Sequence, residues 1–183
     1  MVINYIKNII FILIFAITIT SYPSIVFSNS VPNINEQAPG FELEGYNPER
    51  PDKTKWSSND FKGSWLILYF YPEDATSGCT IEAKGFQRLN KEFLSHKANI
   101  VGISKDSKAS HKLFCSDQKL DFTLLSDKDS QISKSFGSWQ EGFSSRNTFL
   151  IDPNGIIKYR WLAVIPIKHA KEVLSVLNRI DQT

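Results

Sequence analysis

The sequence predicts an α/β fold, a sandwich with a central mixed sheet flanked by helices, and three observations point there. Apolar runs of strand length alternate with segments whose apolar residues recur at helical spacing. The first long run, Trp65-Leu66-Ile67-Leu68-Tyr69-Phe70, is unbroken, as a strand covered on both faces of a parallel sheet requires. The last two runs are joined by the turn Asp152-Pro153-Asn154-Gly155, and such close spacing implies an antiparallel hairpin.

The elements follow in order. Residues 31–51 are rich in Pro, Asn, Glu and Gly, with Phe41 and Leu43 alternating as a short strand would, so the domain opens on an extended entry segment. The strand of residues 65–70 lies between Gly63 and Pro72. A polar loop, 72–78, leads into a segment beginning at Cys79 that spaces Phe86, Leu89 and Phe93 helically among charged residues. Residues 99–104 form the next strand, 105–120 a helix carrying Leu113, Phe114 and Cys115, and 122–125 a further strand. A short helical piece at 132–136 and a Gly/Ser-rich loop at 137–145 precede the strand 148–151. After the turn comes the strand 156–161, then a last helix with Ala170, Val173, Leu174, Leu177 and Ile180 on one face. A βαβ half followed by a ββα half describes a thioredoxin-like sandwich over residues 31–183.

Composition narrows the function. With 183 residues, 42% of them hydrophobic, the chain makes one ordinary domain plus its N-terminal segment. Its 21 basic residues are offset by 19 acidic ones, without the clustered cations that nucleic-acid affinity needs. Lys7 is the only charge before Glu36, and residues 9–17 are continuously apolar. A basic start, an apolar centre and a small, polar exit near Ser28 or Ser30 read as a secretory signal peptide over residues 1–28. The rival is an uncleaved membrane anchor through residues 9–27, diluted by Thr, Ser, Tyr and Pro in its second half. Either way the domain is expected outside the cytoplasm, in a periplasm, a thylakoid lumen or an extracellular space. No Cys lies near the exit to support a lipid-anchored lipoprotein.

Cys79 and Cys115 are the only cysteines, and in an oxidising compartment a pair invites a disulfide, structural or catalytic. A nucleophilic thiol needs a site that favours the thiolate, and a helix N-terminus supplies oriented N–H groups. Cys79 has that expected position. The loop before it, Tyr71-Pro72-Glu73-Asp74-Ala75-Thr76-Ser77-Gly78, sets a hydroxyl three residues upstream of the sulfur and a glycine where backbone must approach closely.

Pro72-x-x-x-Thr76-x-x-Cys79 resembles the active-site motif of the peroxiredoxins. With Tyr69-Phe70-Tyr71-Pro72, Cys79-Thr80-Ile81-Glu82-Ala83, Phe122-x-Leu124-Leu125-Ser126-Asp127 and Arg146-x-Thr148-Phe149-Leu150-Ile151-Asp152, the chain is similar to the Q-type, or bacterioferritin-comigratory-protein-like, group from about Val31 to the last helix. The resemblance implies that Cys79 is the peroxidatic nucleophile, that Thr76 hydrogen-bonds the peroxide and that Pro72 shields the sulfur. Arg146 would stabilise the thiolate and the charge developing on the leaving oxygen. Glu82, one turn past the Cys, either orients Arg146 or is an exposed helix residue.

The chain departs from the group at two positions. Ser77 stands where Pro is usual, and Lys84 stands where many members carry a resolving Cys. Either an external thiol completes a one-Cys cycle, or Cys115 resolves. Cys115 lies 36 residues beyond Cys79 on the next helix, where some members of the family place that residue. The competing reading is a small buried hydrophobe beside Phe114. In the two-Cys cycle the Cys79 thiolate attacks hydrogen peroxide or an organic hydroperoxide, the sulfenic acid condenses with Cys115, and a thioredoxin-like dithiol protein reduces the disulfide. The folded, reduced state is expected to hold the sulfurs too far apart, so that the first turn after Cys79 must unwind.

No metal or organic cofactor is required, and the family suggests a monomer. His96, His111 and His169 show no ligand spacing and read as ordinary surface residues. Trp65, Tyr69, Phe70 and Tyr71 read as core and pocket wall, while Trp139 and Phe143 line either the active-site rim or a partner surface. A thiol–disulfide oxidoreductase would carry Cys where Glu82 stands. A non-enzymatic domain with a structural disulfide would leave Thr76 and Arg146 incidental, and nothing around the histidines suggests a Cys–His hydrolase.

Overall fold

A computed structural model of the chain describes residues 30–181; the expected export signal or anchor lies outside the described residues. Among those described, no helix is long and apolar enough to cross a membrane. The chain runs β1 (Glu42–Tyr46), β2 (Lys55–Ser57), a 3-10 turn (Ser58–Phe61), β3 (Trp65–Phe70), α1 (Ser77–Arg88), α2 (Asn90–Ser95), β4 (Ala98–Ser104) and α3 (Lys108–Gln118). It continues through β5 (Thr123–Ser126), α4 (Gln131–Ser135), β6 (Trp139–Gln140), β7 (Phe143–Ser144), β8 (Thr148–Ile151), β9 (Ile157–Trp161) and α5 (Pro166–Ile180).

Seven strands form one mixed sheet in the order β2-β1-β5-β4-β3-β8-β9. β3, β4 and β5 run parallel, while β8 and β9 pair antiparallel as the short turn between them dictates. β3 lies between β4 and β8, and all six of its residues are buried. Its side chains alternate between two cores, because successive residues of a strand point to opposite faces. Ile67 and Tyr69 meet Ala83 and Phe86 of α1, Phe114 and Cys115 of α3, and Val173 and Leu177 of α5. Leu66, Leu68 and Phe70 meet Phe41, Phe61, Phe136 and Phe149. The thioredoxin-like sandwich is therefore present.

Several boundaries differ from expectation. The helix expected from Cys79 through Phe93 starts at Ser77 and breaks where Leu89 leaves the helical region (φ −107°, ψ 10°), giving α1 and α2. α3 is shorter than 105–120: the Ser107 side chain caps it by accepting from the Ser110 N–H at 3.2 Å, and left-handed Lys119 ends it. Residues 137–145 contain the two-stranded β6–β7 hairpin rather than loop alone, turned at Gly142 with φ +95°. β2 has no counterpart in the pattern reading.

Candidate active site

β3 delivers the chain to the functional end of the sheet. Beyond Phe70 the backbone crosses a six-residue loop, and Thr76, in extended conformation, is the N-cap of α1. Cys79 thus sits in the first turn, where unpaired backbone N–H groups concentrate. It is 1% exposed and free.

The guanidinium of Arg146, from the stretch between β7 and β8, bridges two groups of α1. Its Nη2 donates to Cys79 Sγ at 3.2 Å and its Nη1 to Glu82 Oε2 at 2.8 Å. Gly78 makes room for it, since a Cβ there would stand 2.7 Å from Nη2. Glu82 is 1% exposed, so the exposed-residue alternative is excluded. Burial pushes its carboxyl up to about 7, although the charge and hydrogen bond of Arg146 pull the other way. Burial alone would lower the Arg146 pKa, but Cys79 and Glu82 outweigh it and hold the guanidinium above its ordinary value.

Thr76 and Pro72, in the loop that leads into α1, are half-buried, and the Thr76 hydroxyl donates to the Glu73 carbonyl at 3.1 Å. Pro72, Glu73, Lys105, Asp106, Gly142 and Phe143 line an open cleft, which puts Phe143 at the rim of the Cys79 loop. A separate cavity of about 270 Å³, walled by Pro39, Phe41, Phe61, Leu66 and Pro153, opens at the other end of β3, away from Cys79.

Cys115, on α3, is equally buried, and no disulfide joins it to Cys79. Burial, then the charges of Asp74 and Asp121, push its thiol up to about 12. The structure brings Cys79, Glu82 and Arg146 together at bonding distance, with Thr76 and Pro72 in the same loop, and leaves Cys115 unbonded on the neighbouring helix.

The reading of all three histidines as surface residues is corrected. His111 and His169 are fully buried, and only His96 is part-exposed, paired with Asp181 at 2.7 Å. His169 donates to or accepts from Thr148 at 2.8 Å and packs edge-on against Phe86 and Trp161. His111 meets Asp74 at 2.9 Å, a buried pair that pattern reading missed. Its signal was faint: an acid five residues before one cysteine, and a histidine one helical turn before the other.

Residues 34–160 match the AhpC/TSA family. The chain belongs to that family, the peroxiredoxins. It is 34% identical to the peroxiredoxin Bcp of Bacillus subtilis across 81% of this chain and 97% of that one. The Xylella fastidiosa PrxQ, solved as a Cys-to-Ser mutant, superposes with a TM-score of 0.76 at 33% identity, over 82% of this chain and 98% of the other. Two single Cys-to-Ser mutants of the Xanthomonas campestris peroxiredoxin Q give TM-scores of 0.71 and 0.70, each at 33% identity over 91% of that chain and 77% and 76% of this one. As a peroxiredoxin, the chain is a peroxidase of the oxidoreductase class.

Proposed function

We propose that this peroxiredoxin reduces hydrogen peroxide and organic hydroperoxides through a sulfenic acid on Cys79, which Cys115 resolves as an intramolecular disulfide. The observation that carries the reading is the Arg146 fork, one hand on Cys79 Sγ and the other on Glu82.

Sulfur of the Cys79 thiolate gives its electron pair to the terminal oxygen of the peroxide. An S–O bond forms, the O–O bond breaks, and water or an alcohol leaves after taking a proton. Arg146 supplies positive charge where the leaving oxygen becomes negative, the Thr76 hydroxyl holds the peroxide, and Pro72 limits the access of solvent. Cys115 sulfur then attacks Cys79: the S–S bond forms, the S–O bond breaks, and the departing hydroxide takes a proton to become water. A thioredoxin-like dithiol returns both thiols.

The separation of Cys79 from Cys115 supports the resolving role, because the cysteines replaced in the two Xanthomonas campestris mutants are the same distance apart in sequence. Buried and held near 12, Cys115 is a poor nucleophile in the closed structure, so resolution requires opening. Export through residues 1–28 and a monomeric state belong to the same proposal.

The test is to treat the reduced domain with one equivalent of hydrogen peroxide or cumene hydroperoxide and follow intact mass and thiol loss. Wild type should lose two hydrogens, Cys115→Ser should accumulate oxidised Cys79, and Cys79→Ser should be inert. Full turnover of Cys115→Ser with an external thiol would make this a one-Cys enzyme. Edman sequencing of the chain recovered from an exporting host locates the N-terminus.

A further inference from the structure

The residues between the two cysteine-bearing segments form a polar knot inside an otherwise apolar core. Asp74, in the loop that leads to Cys79, is 7% exposed, and its carboxylate takes three side-chain contacts. Tyr71 OH donates at 2.7 Å, Ser110 Oγ donates at 2.8 Å, and His111 Nδ1 lies at 2.9 Å. Tyr71 belongs to the end of β3, whereas Ser110 and His111 are on α3. An ionised carboxylate only accepts, so this contact places the His111 proton on Nδ1. His111 Nε2 is buried and makes no hydrogen bond among the described residues, so the imidazole is anchored from the Asp74–Tyr71 side alone. The Asp74 backbone N–H donates to Asp106 Oδ2 at 2.9 Å, a second tie from the same loop to the entrance of α3.

Position gives this knot its meaning. His111 and Cys115 are four residues apart on α3, hence on one helical face, and Asp74 is five residues before Cys79. His111 is therefore one helical turn from Cys115, and Asp74 lies in the loop that leads directly into the first turn carrying Cys79.

We propose that the Asp74–His111 contact fastens the Cys79 loop to α3, so that the two cysteine-bearing segments open together, and that His111 is a positioning residue for resolution by Cys115. The proposal rests on the two-Cys reading for its catalytic consequence but not for the coupling itself. While the contact holds, both sulfurs stay enclosed; once it parts, both segments are free to move and the sulfurs can meet.

The experiment compares reduced wild type, Asp74→Asn and Ser107→Ala by hydrogen exchange and by rapid mixing with peroxide. Asp74→Asn keeps the shape but removes the charged acceptor; Ser107→Ala frays α3 without touching the loop. Asp74→Asn is expected to speed exchange by about tenfold, and by the same factor, in residues 77–83 and 108–115. Ser107→Ala should speed it in 108–115 alone. After peroxide, Asp74→Asn should form the disulfide faster than wild type by a similar factor and accumulate less sulfinic acid, with the rate of Cys79 oxidation close to wild type. His111→Gln is the second variant should Asp74→Asn fail to fold. Exchange that rises in one segment only, or in neither, overturns the coupling, and slower disulfide formation overturns the restraining role. If wild type itself forms no Cys79–Cys115 disulfide, the two-Cys reading falls, and the exchange pattern still decides whether the segments are coupled.

Discussion

Cys79 and Cys115 are each 1% exposed and share one apolar cluster, yet their electrical surroundings are opposite. Cys79 lies at the start of a helix with a guanidinium 3.2 Å from its sulfur. Cys115 lies within a helix, and the charges that reach it are the carboxylates of Asp74 and Asp121. Burial is thus the same at the two sulfurs, and the sign of the nearest charge is what differs. On the proposed two-Cys cycle, one core would thus hold a nucleophile ready and keep its partner quiet until the structure opens.

The largest expected effect comes from loosening the two-pronged hold of the guanidinium on Cys79 and Glu82. Arg146→Lys keeps the charge but cannot hold Cys79 and Glu82 with two fixed N–H groups, so the second-order rate of Cys79 oxidation should fall about 10²–10³-fold in rapid mixing with hydrogen peroxide. A loss below about tenfold would show that positive charge near the helix start is enough without the fixed fork.

Next in size is the quietness of Cys115. A thiol at about 12 is almost wholly protonated at pH 8, although its thiolate is intrinsically more nucleophilic than an ordinary one. The two effects together predict that iodoacetamide alkylates Cys115 of folded Cys79→Ser at least about thirtyfold more slowly than in urea. Equal rates would mean that α3 opens freely and that Cys115 is not held in reserve.

The sequence made one side of this comparison far more legible than the other. Strands such as β3 and β8 were readable because continuous apolar runs admit few alternatives, and Cys79 stood out through the loop that precedes it. Arg146 could be placed only through the resemblance, since a guanidinium reaching a sulfur 67 residues away leaves no periodic trace. Glu82 was ambiguous for the same reason: a helical Glu looks exposed until its partner is known. His111 and His169 misled because a lone histidine has no pattern, and their burial depends on Asp74 and on Thr148 with the rings of Phe86 and Trp161, contacts made only on folding. β2 and the β6–β7 hairpin are two or three residues long, below the length at which alternation can be counted.

The smallest effect on rate, a few-fold, is expected for Glu82→Gln, because the amide oxygen still accepts from Arg146. Its effect on stability is sharper. Burial raises the folded-state pKa of Glu82 to about 7 from an ordinary value of 4.5. Between those values the folded chain keeps a proton that the unfolded chain has released, so this group makes stability fall as pH rises from 4.5 to 7. Glutamine cannot titrate. Urea unfolding under reducing conditions should therefore show wild type losing ground to Glu82→Gln across that window, by no more than about 3.5 kcal/mol, with parallel curves on either side. His169, pushed down to about 4 by burial, tilts stability the other way between pH 4 and 6.5, but it does so in both chains and cancels in the difference. Curves parallel throughout would mean that the pair with Arg146 keeps Glu82 ionised. A carboxyl half protonated near neutral pH instead leaves Arg146 with surplus positive charge to direct at Cys79, the side of the pair where charge is needed.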